Sequence, residues 1–328
     1  MSDKTPILIR TKPGLYCPAG DFHIDPMGKV ARAVITHGHA DHAMRGHGAV
    51  LATQPTLDAM AVRYGKGFAS ETQPVSYGEK ITLGSARLRL VPAGHILGSA
   101  QIVIDADGQR AVAAGDYKRR PDPSAHAFEP VACDLFVTEA TFGVPIFRHP
   151  DPAGEVARFL THRAAFPTRP HIIAAYSLGK AQRMIALLRA AGVDTPLVVH
   201  KTVADLCAVY ERHGVSMGAL VRLEDADDDL LHRSIILAPP QSLTDLDEPI
   251  VAFASGWNGL QKRKPKPHQG QFPLIISDHA DWDELTGTIA DVSPAQLWVM
   301  YGEEAPLIHH AQTCGIAATA VRDLECAA

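Results

Sequence analysis

The residues best suited to chemistry form one string, Thr36-His37-Gly38-His39-Ala40-Asp41-His42, an H-x-H-x-D-H pattern. The chain holds 17 histidines in 328 residues. Even so, a composition of this kind yields roughly 0.003 such strings by chance. His37 and His39 can converge on one cation from a short loop. Asp41 and His42 point to the other side of that loop and suit a second. Nitrogen and oxygen donors without cysteine favour zinc, with manganese or iron as alternatives. A solvated histidine-rich turn is the bland alternative.

The string follows the apolar run Ala33-Val34-Ile35, so its donors are expected where a strand ends. Around it, 46% apolar and 20% charged residues exclude a disordered or fibrous chain. The length suits two domains of about 150 residues each. No apolar run approaches the roughly 18 residues of a membrane helix, so no membrane association is expected. Cys17, Cys133, Cys207, Cys314 and Cys326 are scattered without a C-x-x-C pair, which argues against disulfides or a thiolate zinc site. The opening residues lack the pattern of a signal peptide, and the expected location is the cytoplasm. A net charge of −5 means that any nucleic-acid surface must be a local basic patch.

Up to about residue 145, short β-type runs alternate with turns, broken by one helix over 55–64; stacked sheets are expected. Between about 152 and 267 the rhythm changes. Helices are predicted over 154–166, 179–191 and 201–213, between apolar strands such as HIIAA, PLVVH, SIILA and IVAFA. That alternation predicts an α/β unit with mostly parallel strands. A strand over 274–277 and a helix over 282–290 follow. The acidic run 224–229 reads as a solvated loop. The basic stretches 117–120 and 261–269 divide evenly between solvated linker and phosphate contact. In the first, Lys118 and Arg119 are the candidates. Ser177, the Gly179 amide and Lys180, at a strand-to-helix turn, suit a phosphate cradle, and helix capping by Ser177 fits equally well. Trp257 suits either base stacking or core packing.

Further motifs extend the string. Ala93-Gly94-His95 and Ala114-Gly115-Asp116 each follow a β-type run, and with the string they resemble the metallo-β-lactamase superfamily. The resemblance implies an αββα sandwich and two divalent metal ions. His37, His39, His95 and Asp116 would hold one; Asp41, His42 and the shared Asp116 would hold the other. Asp25 would support the metal loop rather than ligate, with Asp21 as the competing assignment.

Thr138-Glu139-Ala140-Thr141-Phe142-Gly143 and Ser277-Asp278-His279-Ala280-Asp281 resemble motifs of the β-CASP nuclease branch. They imply that Glu139 and His279 join Asp41 and Asp25 in catalysis, with His279 beside the scissile phosphate and Glu139 holding its ring. They also imply a discontinuous metallo-β-lactamase domain, 1–150 with 269–328, and an inserted β-CASP-like α/β domain, 151–268. Taken together, the motifs look like bacterial ligase-associated DNA exonucleases, some of which are labelled messenger-RNA 3′-end processing factors. The implied function is metal-dependent phosphodiester hydrolysis on DNA, in repair alongside an ATP-dependent DNA ligase and a helicase. An RNA-processing nuclease and a catalytically weakened nucleic-acid-binding subunit are the alternatives. A lactonase-type hydrolase would leave Glu139, His279 and the basic stretches without a purpose. One motif departs: Tyr301-Gly302-Glu303 stands where the branch has H-G-E, which implies a weakened second metal site.

Overall fold

The computed structural model describes residues 6–242, 246–260 and 270–327. They are mixed α/β, with two seven-stranded sheets and one six-stranded sheet. The chain divides into two compact units, Met1–Ile146 with His279–Ala328, and Phe147–Asp278.

In the first unit, one sheet runs in the order Cys326–Ala327, Ile9–Thr11, Leu15–Cys17, Phe22–Ile24, Arg32–Val34, His47–Ala52, Ala69–Pro74. The other runs Ala317–Ala320, Gln296–Gly302, Leu135–Ala140, Gln109–Ala113, Ala100–Ala106, Ala86–Pro92, Lys80–Leu83. Alternating residues decide which face is covered. Leu15, Phe22, Ile24, Val34 and Leu51 of the first sheet share one buried cluster with Leu88, Leu90, Ile102, Ile104 and Val137 of the second. The opposite faces take helices. Leu57 and Met60 of helix Gln54–Tyr64 cover Ala33, Ile35, Val50 and Ala52. Leu285, Ile289 and Val292 of helix Trp282–Val292, with Leu307 and Ala311 of Glu304–Thr313, cover Val103, Val112, Phe136, Leu297 and Val299.

The second unit carries the third sheet, in the order Leu220–Arg222, Leu197–Val199, Ile235–Ala238, His171–Ala174, Ile250–Ala254, Gln271–Leu274. Every pairing in it is parallel. Helices Pro152–Ala165, Lys180–Ala190 and Lys201–Arg212 alternate with its strands, as the apolar runs predict.

Three differences from the sequence reading have physical reasons. The return to the first unit falls at His279 rather than near 269, because Gln271–Leu274 extends the third sheet beside Ile250–Ala254. That strand ends at Leu274 instead of running over 274–277: the Ile275 amide turns away to the Glu155 carboxylate, 2.8 Å, and the Ile276 amide folds back on Leu274 O. The acidic run is no loop. Asp227 Oδ1 accepts from the Leu230 amide and caps helix Asp228–Arg233, whose first-turn aspartates complement the helix dipole. No helix among the described residues is long and apolar enough to cross a membrane.

Candidate metal centre

The H-x-H-x-D-H string is a loop leaving strand Arg32–Val34, and its conformation is fixed from below by Asp25. Asp25 Oδ1 accepts from the Thr36 amide at 2.8 Å; Oδ2 accepts from the Thr36 hydroxyl at 2.5 Å and meets His42 Nδ1 at 2.8 Å. Arg63 Nη1 donates to Gly38 O and pins the loop's outer edge. The other two donors follow left-handed glycines. At Gly94, φ +77°, a Cβ would fall 2.1 Å from Lys118 O; at Gly115, φ +60°, it would fall 2.7 Å from the Thr36 side chain. Only glycine lets the His95 turn approach the segment after Asp116 and the Asp116 turn approach Thr36 so closely.

His37, His39, His95 and Asp116 each offer a donor atom, and all four lie within 4.8 Å of one another. His39 Nδ1 is 3.0 Å from both His37 Nε2 and His95 Nε2. Three imidazoles and a carboxylate converging without a cysteine form a donor set that fits zinc or a similar divalent cation. On the other side, His42 Nε2 lies 3.5 Å from Asp116 Oδ2 and 3.9 Å from Asp41 Oδ2, and Asp41 is largely exposed. A second cluster, Asp116, Glu139 and His279, also brings its donors within 4.8 Å. There His279 Nδ1 meets Glu139 Oε2 at 2.9 Å, while Glu139 Oε1 accepts the Tyr117 amide at 2.9 Å.

The charges are interlocked. Burial, then the neighbouring His42, holds the His37 pKa well below the ordinary imidazole value, which suits a neutral ligand. Burial opposes the charged form of His42, but Asp116 and Asp25 overcome it and hold that pKa well above normal. Burial would raise the Asp116 carboxyl; the charges of His42 and His279 outweigh it and keep it an anion.

Tyr301 packs its ring 4.9 Å from that of His42. Burial first, then Asp25, Asp116 and Asp41, pushes the phenol pKa far up, so it is neutral at ordinary pH.

The candidate nucleic-acid residues do not stand as the sequence suggests. Lys118 is buried and donates to Arg120 O, and Arg119 Nη2 pairs with Asp291 at 2.6 Å. Lys180 is buried too, 3.2 Å from Asp278 and bonded to Ile276 O, while the Gly179 amide donates to Gln182. Ser177 shares a hydrogen bond with Thr202 and caps nothing. A phosphate cradle there would have to break these bonds. Trp257 is about half exposed, with Phe147 4.9 Å away edge-on, so it is not core. The basic stretch 261–269 lies outside the described residues. Asp21, bonded to Tyr16, is not part of the cluster.

Sequence reasoning missed Thr36, which links Asp25 to His37, and the buried set of Lys180, Arg183 and Asp278. The only signal for Thr36 was a hydroxyl immediately before the first histidine. It also left Asp281 in a motif; the structure makes Asp281 the cap of helix Trp282–Val292, reciprocated by Glu284.

No protein-family model matches the chain. A probable DNA ligase of Opitutus terrae is 26% identical over 298 residues, covering 88% of this chain and 28% of that protein. A ribonuclease of Thermus thermophilus is 33% identical over 151 residues, 37% of this chain and 34% of that one. This chain thus spans about a third or less of the length of these relatives. A crystal structure of an Enterococcus faecalis protein of unknown function shares the fold, with a TM-score of 0.57 at 14% identity, over 82% of this chain and 75% of that one. These similarities are consistent with the β-CASP branch of the metallo-β-lactamase superfamily, which the sequence motifs resemble.

Proposed function

We propose that this protein is a metal-dependent phosphodiesterase, an exonuclease acting on DNA, whose first unit is a metallo-β-lactamase αββα sandwich interrupted by a β-CASP-like domain. The observation that carries the reading is the convergence of His37, His39, His95 and Asp116 beside the Glu139–His279 pair. A small-molecule hydrolase has no need of that pair. DNA as substrate and repair beside a ligase are supported by the match to a probable DNA ligase over most of this chain; a helicase partner rests on the motif resemblance alone. The ribonuclease relative supports RNA processing as the second reading.

In this mechanism His37, His39, His95 and Asp116 would hold one divalent cation, and Asp41 and His42, with Asp116, would hold a second. Such cations supply positive charge to the phosphoryl oxygens and acidify a water molecule at neutral pH. Asp25 keeps His42 and the loop in register through its three hydrogen bonds. Exposed Asp41 accepts the proton of the attacking water. Glu139 fixes His279 through Nδ1, so Nε2 is the nitrogen that reaches the departing oxygen and protonates it.

The test is product analysis on 5′- and 3′-labelled single- and double-stranded DNA and RNA, with zinc, manganese and iron added back separately. Mononucleotides released from DNA support the reading. Release from RNA alone moves it to RNA processing, and no release with any metal leaves a binding subunit.

A further inference from the structure

Tyr301 stands out among the residues around the centre because its backbone is strained and its hydroxyl is unused. Strands Leu135–Ala140 and Gln296–Gly302 pair in register from Leu135 and Gln296 as far as Glu139 and Met300. The register then slips, so that Ala140 faces Gly302 and Tyr301 is the extra residue of a bulge. Its φ is +62°, a left-handed conformation that a bulky side chain rarely takes. The following glycine holds the bulge closed: at Gly302, φ +79°, a Cβ would lie 2.3 Å from Ala140 O. Such strain persists where the surroundings impose it, commonly at functional sites.

The bulge sets the phenol among the groups of the centre. Its ring lies against His42, the centroids 4.9 Å apart. It also lines a mostly apolar cavity of about 170 Å³ that Asp25, Thr36 and Glu139 share with Leu15, Ile24 and Val137, and to which none of His37, His39, Asp41, His42, His95 and Asp116 contributes. Among the described residues the Tyr301 hydroxyl has no hydrogen-bond partner. Its neighbours Asp25 and Thr36, by contrast, are engaged with each other.

We infer that Tyr301 is a further catalytic residue, whose hydroxyl donates a hydrogen bond to a non-bridging oxygen of the phosphate being cleaved. This rests on the phosphodiesterase reading above. The chemistry favours a phenol for that place. Carboxylates dominate this side of the centre and repel an anion, so the phosphate needs donors as well as cations. A phenol of ordinary pKa near 10 is a neutral donor at pH 7, and it adds no further charge beside His42. Preorganised donors of this kind act where charge develops in the transition state.

Three measurements on the whole zinc-loaded chain test it. Tyr301→Phe keeps the ring and removes the hydroxyl. It should leave the metal content by elemental analysis unchanged, lower kcat by about 10²-fold, and weaken inorganic phosphate binding by roughly fivefold. Unchanged kcat together with unchanged phosphate affinity overturns the inference. Loss of metal from Tyr301→Phe overturns it as well, because the phenol would then be a ligand. Phosphate affinity can be read even if no nucleic acid is cleaved. A wild type that binds phosphate through Tyr301 but hydrolyses nothing would sink the phosphodiesterase reading and keep the contact. Tyr301→Asn serves as the second variant. Asparagine tolerates the positive φ of this position, and its short side chain withdraws the donor, so kcat and phosphate affinity should fall to the same extent. Full activity in that variant overturns the inference.

Discussion

Glu139 Oε2 lies 2.9 Å from His279 Nδ1, joining residues 140 apart in the sequence. The other oxygen of the same carboxylate takes the Tyr117 amide, one residue beyond Asp116. One buried side chain thereby ties the imidazole to the turn that carries the shared aspartate. This makes His279 a group held in one orientation beside the cluster. Its ring lies 4.7 Å from that of His95.

If His279 acts on the departing oxygen, its removal should spare the metal. His279→Ala is expected to keep wild-type metal content and lose about 10²–10⁴-fold in kcat, the range for a positioned general acid. Glu139→Gln should fall in the same direction, because an amide holds the ring without the charge. Elemental analysis alongside single-turnover rates decides between the roles. Loss of metal in His279→Ala would show instead that Asp116, Glu139 and His279 form a cation site.

Asp116 faces His37, His42, His95 and His279, at 3.4 to 3.9 Å. Asp116→Asn removes the anion around which these rings are arranged and leaves a poor bridge between cations. The variant should be folded by circular dichroism, poor in metal and inactive. Wild-type turnover in purified, metal-loaded Asp116→Asn would refute the assignment of this residue.

The site was more legible in the sequence than its surroundings. His37, His39, His42, His95 and Asp116 sit at strand ends after short apolar runs, and such runs and spacings are local signals. Asp25 follows a strand in the same way, and its carboxylate bonds to Thr36 and meets His42. The phosphate contacts were not legible. Lys118 and Lys180 look like exposed cations in sequence, and only tertiary packing shows them buried against Arg120 O and Asp278. A buried cation needs a partner distant in the chain, and pattern does not name it. The strands Ala69–Pro74 and Lys80–Leu83 were missed for the opposite reason. Ala69–Pro74 is polar and almost wholly exposed, and Lys80–Leu83, though Ile81 and Leu83 alternate onto the core, is too short for its pattern to stand out.

The second unit contains a pH-sensitive histidine unrelated to the metal. Burial lowers the pKa of His171, at the start of strand His171–Ala174, to about 4. An unfolded histidine titrates near 6.5, so between these values the unfolded chain binds the extra proton. Stability from this residue is therefore complete above about pH 6.5 and declines as pH falls towards 4. Urea midpoints should drop between pH 7 and pH 5, and the drop should shrink in His171→Asn. An identical drop in both proteins would exclude His171 as its source.

Tyr301 also bears on how many cations the protein retains. A neutral phenol is a far poorer ligand at pH 7 than a neutral imidazole, and burial together with three carboxylates makes this phenol harder still to ionise. The second position is left with His42, the exposed Asp41 and the shared Asp116, whereas the first has four converging donors. One tightly held cation per chain is therefore expected after exhaustive dialysis, with the second lost or weakly retained. Tyr301→His supplies an imidazole beside His42, and should raise the retained metal towards two per chain while losing the hydroxyl's contribution to kcat. The bulge sharpens the comparison, because the new side chain inherits the same φ of +62° and points from the same place. Two equivalents surviving dialysis in the unmodified protein would show that Asp41, His42 and Asp116 suffice without a fourth ligand.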